Sequence, residues 1–127
     1  MWRRPAPRSR VAEIKRSADT WLYRFDHPEP SANHGLGASH GVEIPYVFGT
    51  IDRPETHPRI GDRPSRAVAA AVQDLWTSFI RGESPGWHPY TRPERTTALI
   101  ADGIFAVGVF AVDDPAADER RVWRGRW

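Results

Sequence analysis

A histidine set among small residues, Gly37-Ala38-Ser39-His40-Gly41, is followed three positions later by Glu43 and then by the apolar set Ile44, Tyr46, Val47 and Phe48. An imidazole on a loop whose downstream end is anchored in a core is held in one place. Its ordinary pKa near neutrality suits it to take a proton in one step and return it in the next. A hydroxyl nucleophile, weak on its own, needs such a base. Beside it, Ser39 completes a literal G-x-S-x-G over residues 37–41, with Asp62 or Asp74 and then His88 as further partners for a small triad. That pattern exposes a nucleophile only where a strand runs directly into the serine and a helix leaves it. Residues 31–39 are small, polar and glycine-rich, so a loop precedes Ser39 and the autonomous Ser39 triad ranks last among the readings.

A metal reading fares no better. His27, His34 and His40 could be set together as a zinc trio, but the chain has no cysteine, no pair of histidines at helical spacing and no acidic cluster beside them. No metal and no cofactor is expected.

The elements that would position His40 can be read on either side of it. Thr20 to Asp26 reads as a strand, with Trp21, Tyr23 and Phe25 at alternate positions, and His27-Pro28-Glu29-Pro30 ends it. Residues 42–48 read as a turn or two of helix stopped by Gly49. Residues 50–63 are polar with two prolines, a third following at Pro64, and look like an exposed connection. The clearest helix runs from about Pro64 to Arg81, where Val68, Val72, Leu75, Trp76, Phe79 and Ile80 share one face and Gly82 suits the C-terminal cap. Residues 83–95 are turn-rich, with Trp87 and Tyr90 as anchors. Residues 96–100 and 104–112 are expected to pair as a hairpin through Asp102-Gly103, and Asp114-Pro115 to open a last helix ending near Trp123. A short helix is expected over residues 8–18.

A chain of 127 residues with 39% hydrophobic and 27% charged residues has the size and make-up of one loop-rich domain. The net charge of +2 gives no nucleic-acid preference, and the arginines crowding both ends (Arg3, Arg4, Arg8, Arg10; Arg120, Arg121, Arg124, Arg126) read as solvated faces and tails. The most apolar stretch, residues 98–112, is broken by Asp102 and two glycines and is too short to span a bilayer. With no cysteine and no secretion-signal pattern, a cytoplasmic protein is expected.

The stretch from His40 to Gly49 resembles the histidine loop of the type B carboxylesterases, the carboxylesterase and cholinesterase branch of the α/β-hydrolase fold, whose pattern reads roughly HGxExxxVFG. The resemblance extends upstream to Trp21-Leu22-Tyr23-Arg24-Phe25-Asp26, similar to the strand that delivers that loop. Downstream it takes in Trp76-Thr77-Ser78-Phe79, Gly82-Glu83-Ser84-Pro85 and Trp87-His88-Pro89-Tyr90. It implies an α/β class: the C-terminal portion of an α/β-hydrolase, residues 1–127 forming a single partial domain of one core strand, histidine loop, long helix and terminal hairpin, incomplete on its own. It implies serine ester hydrolysis of a small-molecule ester, with His40 as the triad base and Glu43 orienting the loop without a catalytic role. The nucleophile and the acid would lie upstream of Met1. The expected partners are therefore the missing N-terminal part of the hydrolase, or a second copy, and the chain alone is expected to be inactive. His34-Gly35-Leu36-Gly37 resembles the oxyanion loop of esterases but stands in the wrong place for it. A second reading is a non-catalytic remnant acting as an interaction module.

Overall fold

Every second residue from Trp21 to Phe25 is a large aromatic, and in an extended chain such residues share one face. A computed structural model describes residues 19–26, 38–102 and 107–123, with Tyr23–Phe25 as strand β1. From its aromatic face Trp21 meets Phe79 at a ring separation of 5.9 Å, Tyr23 meets Trp76 at 6.0 Å, and Phe25 meets Tyr46 at 5.3 Å. The first two contacts are edge-on, the arrangement favoured by aromatic quadrupoles.

After β1 come helix α1 (Ile44–Val47), a 3₁₀ turn at Pro54–Thr56, α2 (His57–Ile60), α3 (Arg66–Ile80), strands β2 (Thr96–Asp102) and β3 (Val107–Asp113), and α4 (Ala117–Trp123). The sheet order is β1-β2-β3. β1 runs parallel to β2 with Tyr23 facing Ala98 and Phe25 facing Ile100, and β2 runs antiparallel to β3 with Ile100 facing Val109. Parallel neighbours need a long crossover, and the connection that contains α3 supplies it. The expected hairpin is present. Its turn at Asp102-Gly103 lies partly outside the described residues, as do the expected helix over 8–18 and residues His27 and His34.

α3 starts where the Ser65 hydroxyl accepts the N–H of Val68 at 3.3 Å, a side-chain cap for an otherwise orphaned donor. Its buried residues Val68, Ala69, Val72 and Leu75 recur at helical spacing and join Val42, Tyr46, Ile51, Ile60, Trp87, Ala98 and Ile100 in one core. Each large aliphatic buried there is worth about 1.5–3 kcal/mol relative to exposure. The far end of the same helix is uncovered: Phe79 and Ile80 face outward.

Residues 50–63 are not simply an exposed link, because Ile51 and Ile60 are in the core and the short helix α2 ends on Ile60, just before Gly61. The prolines there sit in first-turn positions, where the missing N–H costs nothing, so they start short helices instead of preventing them. Trp87 and Tyr90 do anchor the next segment. Trp87 is buried and its carbonyl accepts the Trp21 indole N–H at 3.0 Å, while the Tyr90 N–H donates to the Thr20 carbonyl at 2.7 Å. Among the described residues no helix is long and apolar enough to cross a membrane.

Candidate active site

The loop that carries His40 is shaped by a glycine and pinned from below. Gly41 has φ +78°, a left-handed conformation that side chains disfavour, and it turns the chain directly after the histidine. The Val42 N–H then donates to the Ser39 carbonyl at 3.3 Å and the Ile44 N–H to the Gly41 carbonyl at 3.4 Å. Val42 and Tyr46 are wholly buried, so the turn is fixed within two residues of His40, whose own side chain is exposed. At the other end of α1 the Gln73 amide donates to the Tyr46 carbonyl at 3.2 Å, tying α1 to α3.

Glu43 occupies the N-cap position of α1. Its carbonyl accepts the N–H groups of Tyr46 and Val47, both at 3.0 Å, while its carboxylate makes no capping hydrogen bond and enters none of the ion pairs among the described residues. The side chain instead lines the same open cleft as His40. That cleft has a volume of about 310 Å³ and is walled by Tyr23, Arg24 and Phe25 of β1 on one side and by Ala38, Ser39, His40, Gly41 and Glu43 on the other. In the β1 wall, the Arg24 guanidinium grips the Asp26 carboxylate in a fork, with contacts of 2.6 and 2.7 Å. The hydrogen bonds to Asp26 raise the Arg24 pKa above its ordinary value, so the arginine stays charged.

Ser39 and His40 are thus brought to one cleft, but Asp62, Asp74 and His88 do not line it. Asp62 is 93% exposed and faces His57 Nδ1 at 3.8 Å, beyond hydrogen-bond range. No Ser39 triad is assembled by these residues. Among the described residues no three His, Asp or Glu side chains converge on a point where a metal ion could be held. Arg24, Gln73 and Arg59, whose guanidinium lies against Gly41, escape a reading of the sequence. Nothing in their local pattern marks them, and only the pairing of β1 and the packing of α1, α2 and α3 brings them to the loop.

A family model described as the Carboxylesterase family matches residues 2–102. Bile salt-activated lipase of Mus musculus is 38% identical over 88 residues, which is 60% of this chain and 14% of the lipase. Para-nitrobenzyl esterase of Bacillus subtilis (strain 168) is 31% identical over 113 residues, 82% of this chain and 21% of the esterase. A crystal structure of a Geobacillus stearothermophilus carboxylesterase superposes with a TM-score of 0.64 at 30% identity, covering 84% of this chain and 22% of the other. A PNB esterase structure gives the same TM-score at 22% identity, and supports the fold alone. The chain spans only 14–21% of the length of these two curated relatives. Its mixed sheet and helices are a part of the α/β-hydrolase fold.

Proposed function

Since the chain belongs to the carboxylesterase family, we propose that it supplies the catalytic histidine of a serine ester hydrolase, with the serine and the acid contributed by the remainder of an α/β-hydrolase domain. The observation that carries this reading is His40 itself, exposed on the Gly41 turn, opening on a cleft beside β1, and inside the segment that the family model matches.

The chemistry follows from what an imidazole can do in that place. As the serine hydroxyl attacks the ester carbonyl, His40 takes its proton. The imidazolium then returns that proton to the leaving alcohol oxygen as the tetrahedral intermediate collapses to an acyl-enzyme. A water molecule repeats the sequence, giving its proton to His40 and releasing the acid, after which the serine regains the proton. The carboxylate partner fixes the imidazole tautomer. Glu43 holds the start of α1 through its backbone carbonyl and takes no proton in the cycle.

The test is hydrolysis of a short chromogenic ester by the 127-residue chain alone, and by the chain fused to the preceding part of the B. subtilis esterase. The expected result is no turnover alone, turnover in the fusion, and a loss of about 10³-fold or more on His40→Ala. A serine-reactive phosphonate found on Ser39 of the free chain by intact mass would overturn this reading in favour of a miniature hydrolase.

A further inference from the structure

We propose that the outer edge of β3 is an interaction surface, and that its partner is β3 of a second copy of this chain, paired antiparallel about a two-fold axis. The inference does not depend on the function proposed above.

β3 ends the sheet, with β2 on one side and no described strand on the other. Which of its backbone groups are left over follows from the bonds that β2 makes. The Ala98 N–H donates to the Leu22 carbonyl at 2.9 Å and the Ile100 carbonyl accepts the Asp26 N–H at 2.8 Å, so Ala98 and Ile100 turn their backbone groups toward β1. These directions alternate along a strand, so Thr97, Leu99 and Ala101 turn theirs toward β3, where they face Val112, Phe110 and Gly108. The Asp114 N–H, which donates to the Arg95 carbonyl at 3.3 Å, continues the same alternation. Val107, Val109, Ala111 and Asp113 therefore aim their N–H and C=O groups away from the sheet.

An unpaired row of this kind is a template for another strand, and edge strands ordinarily guard it with lysine, proline or a bulge. β3 carries none of these guards. Val-Gly-Val-Phe-Ala-Val over 107–112 has no charge and no proline, and the register with β2 runs unbroken through all seven residues. The carboxylate of Asp113 is engaged by the Thr96 hydroxyl, which donates to it at 2.7 Å. Phe110 and Val112, alternating with the core-packed Val109, are 39% and 36% exposed.

The strand fits a copy of itself. With Phe110 opposite Phe110 at the two-fold axis, Ala111 meets Val109, Val112 meets Gly108 and Asp113 meets Val107. All seven residues then pair, no like charges are opposed, and the outward groups fall opposite one another. Phe110 occupies a pair without hydrogen bonds, where opposed side chains approach most closely, so the two rings meet. Placing β3 on the far edge of β1 offers only three residues and does not close, because every added copy leaves the same two edges exposed. Self-pairing of β3 stops at two copies. The His40 cleft lies against β1, at the other end of the sheet, and stays open in such a dimer. β3 also lies outside residues 2–102 that the family model matches, so kinship with that family does not by itself carry the pairing.

The test is sedimentation equilibrium of the full 127-residue chain over a concentration series, with amide hydrogen exchange read by NMR. The expected result is a reversible monomer–dimer equilibrium, the larger species having twice the 14.4 kDa chain mass. The Val109 and Ala111 amides should exchange about tenfold or more slowly in the dimer than in the monomer, whereas those of Phe110 and Val112, turned toward β2, are protected in both. Ala111→Pro removes one outward N–H and leaves the groups facing β2 in place, and should abolish the dimer. Phe110→Lys sets two ammonium groups against each other at the axis and should weaken it by about tenfold or more. Circular dichroism reports whether each variant keeps its fold, and should Ala111→Pro lose it, Phe110→Lys and the exchange pattern decide. A chain that stays monomeric at every concentration overturns the proposal. So does a dimer indifferent to Phe110→Lys, or one in which the Val109 and Ala111 amides exchange as freely as in the monomer. Association that runs on past two copies assigns the β3 edge to open-ended pairing and overturns it as well.

Discussion

Two glycines bracket α1, Gly41 at φ +78° and Gly49 at φ +65°, and replacing each by alanine should separate backbone strain from the loss of a specific contact. The shared term is the left-handed backbone, about 1–2 kcal/mol for a residue with a Cβ. The difference lies in what that Cβ would meet. At Gly41 it falls 3.3 Å from the Arg59 Nη1 atom, the far end of an exposed side chain that can swing away. At Gly49 it falls 3.2 Å from Gln73 Nε2, the atom that donates to the Tyr46 carbonyl. Moving that amide sacrifices a part-buried hydrogen bond worth about 1 kcal/mol. Gly41→Ala is therefore expected to destabilise by about 1–2 kcal/mol and Gly49→Ala by about 2–3 kcal/mol. Urea unfolding followed by tryptophan fluorescence, with a common slope, gives both values. In a Gln73→Ala background the excess at Gly49 should vanish. Equal costs at the two positions, or an excess at Gly49 that survives removal of Gln73, would refute the assignment of that hydrogen bond as the tie between α1 and α3.

Two further outcomes are expected. Val72 is fully buried in α3, and Val72→Ala should lower stability by about 2–3 kcal/mol in the same urea assay, the transfer of two carbons plus the cavity they leave. The Arg24–Asp26 fork is 42% and 33% exposed, so Arg24→Gln should cost less than about 1 kcal/mol and less again in high salt. Because the folded state raises the Arg24 pKa, its contribution is complete below the unfolded value and fades only as pH rises through the folded one. Arginine titration thus adds no slope to stability near neutrality, and a neutral-range slope that disappears in Arg24→Gln would contradict the pairing.

Much of this architecture is legible in the residues, and the reasons are local. The period-two aromatics at 21, 23 and 25 and the helical spacing of Val68, Val72 and Leu75 each express the geometry of a single element, so the strand and the long helix follow from pattern alone. His40 stands out because small residues flank it and a glycine must follow it for the turn. What the pattern withholds is pairing. Nothing between Tyr23 and Ala98 announces that they are neighbours, so the parallel register, and with it the β1 wall of the cleft, was not foreseen. The 50–63 segment misled because prolines read as breakers, while Ile51 and Ile60, too few to show a period, carry the burial.

The parallel register of β1 on β2 also bears on how the cleft comes into being. Tyr23 sits opposite Ala98, and the histidine turn and the three helices α1 to α3 all lie inside the loop that this pairing closes. Closing so long a loop carries an entropic penalty that grows with the logarithm of its length and is met only when the strands pair. A partly folded chain that keeps α3 helical but has released β1 retains His40 and most of its helical signal, yet has no second wall beside the imidazole. Helix content and a formed site are therefore separate properties of this molecule, and β1, three residues long, is the element whose detachment abolishes the cleft.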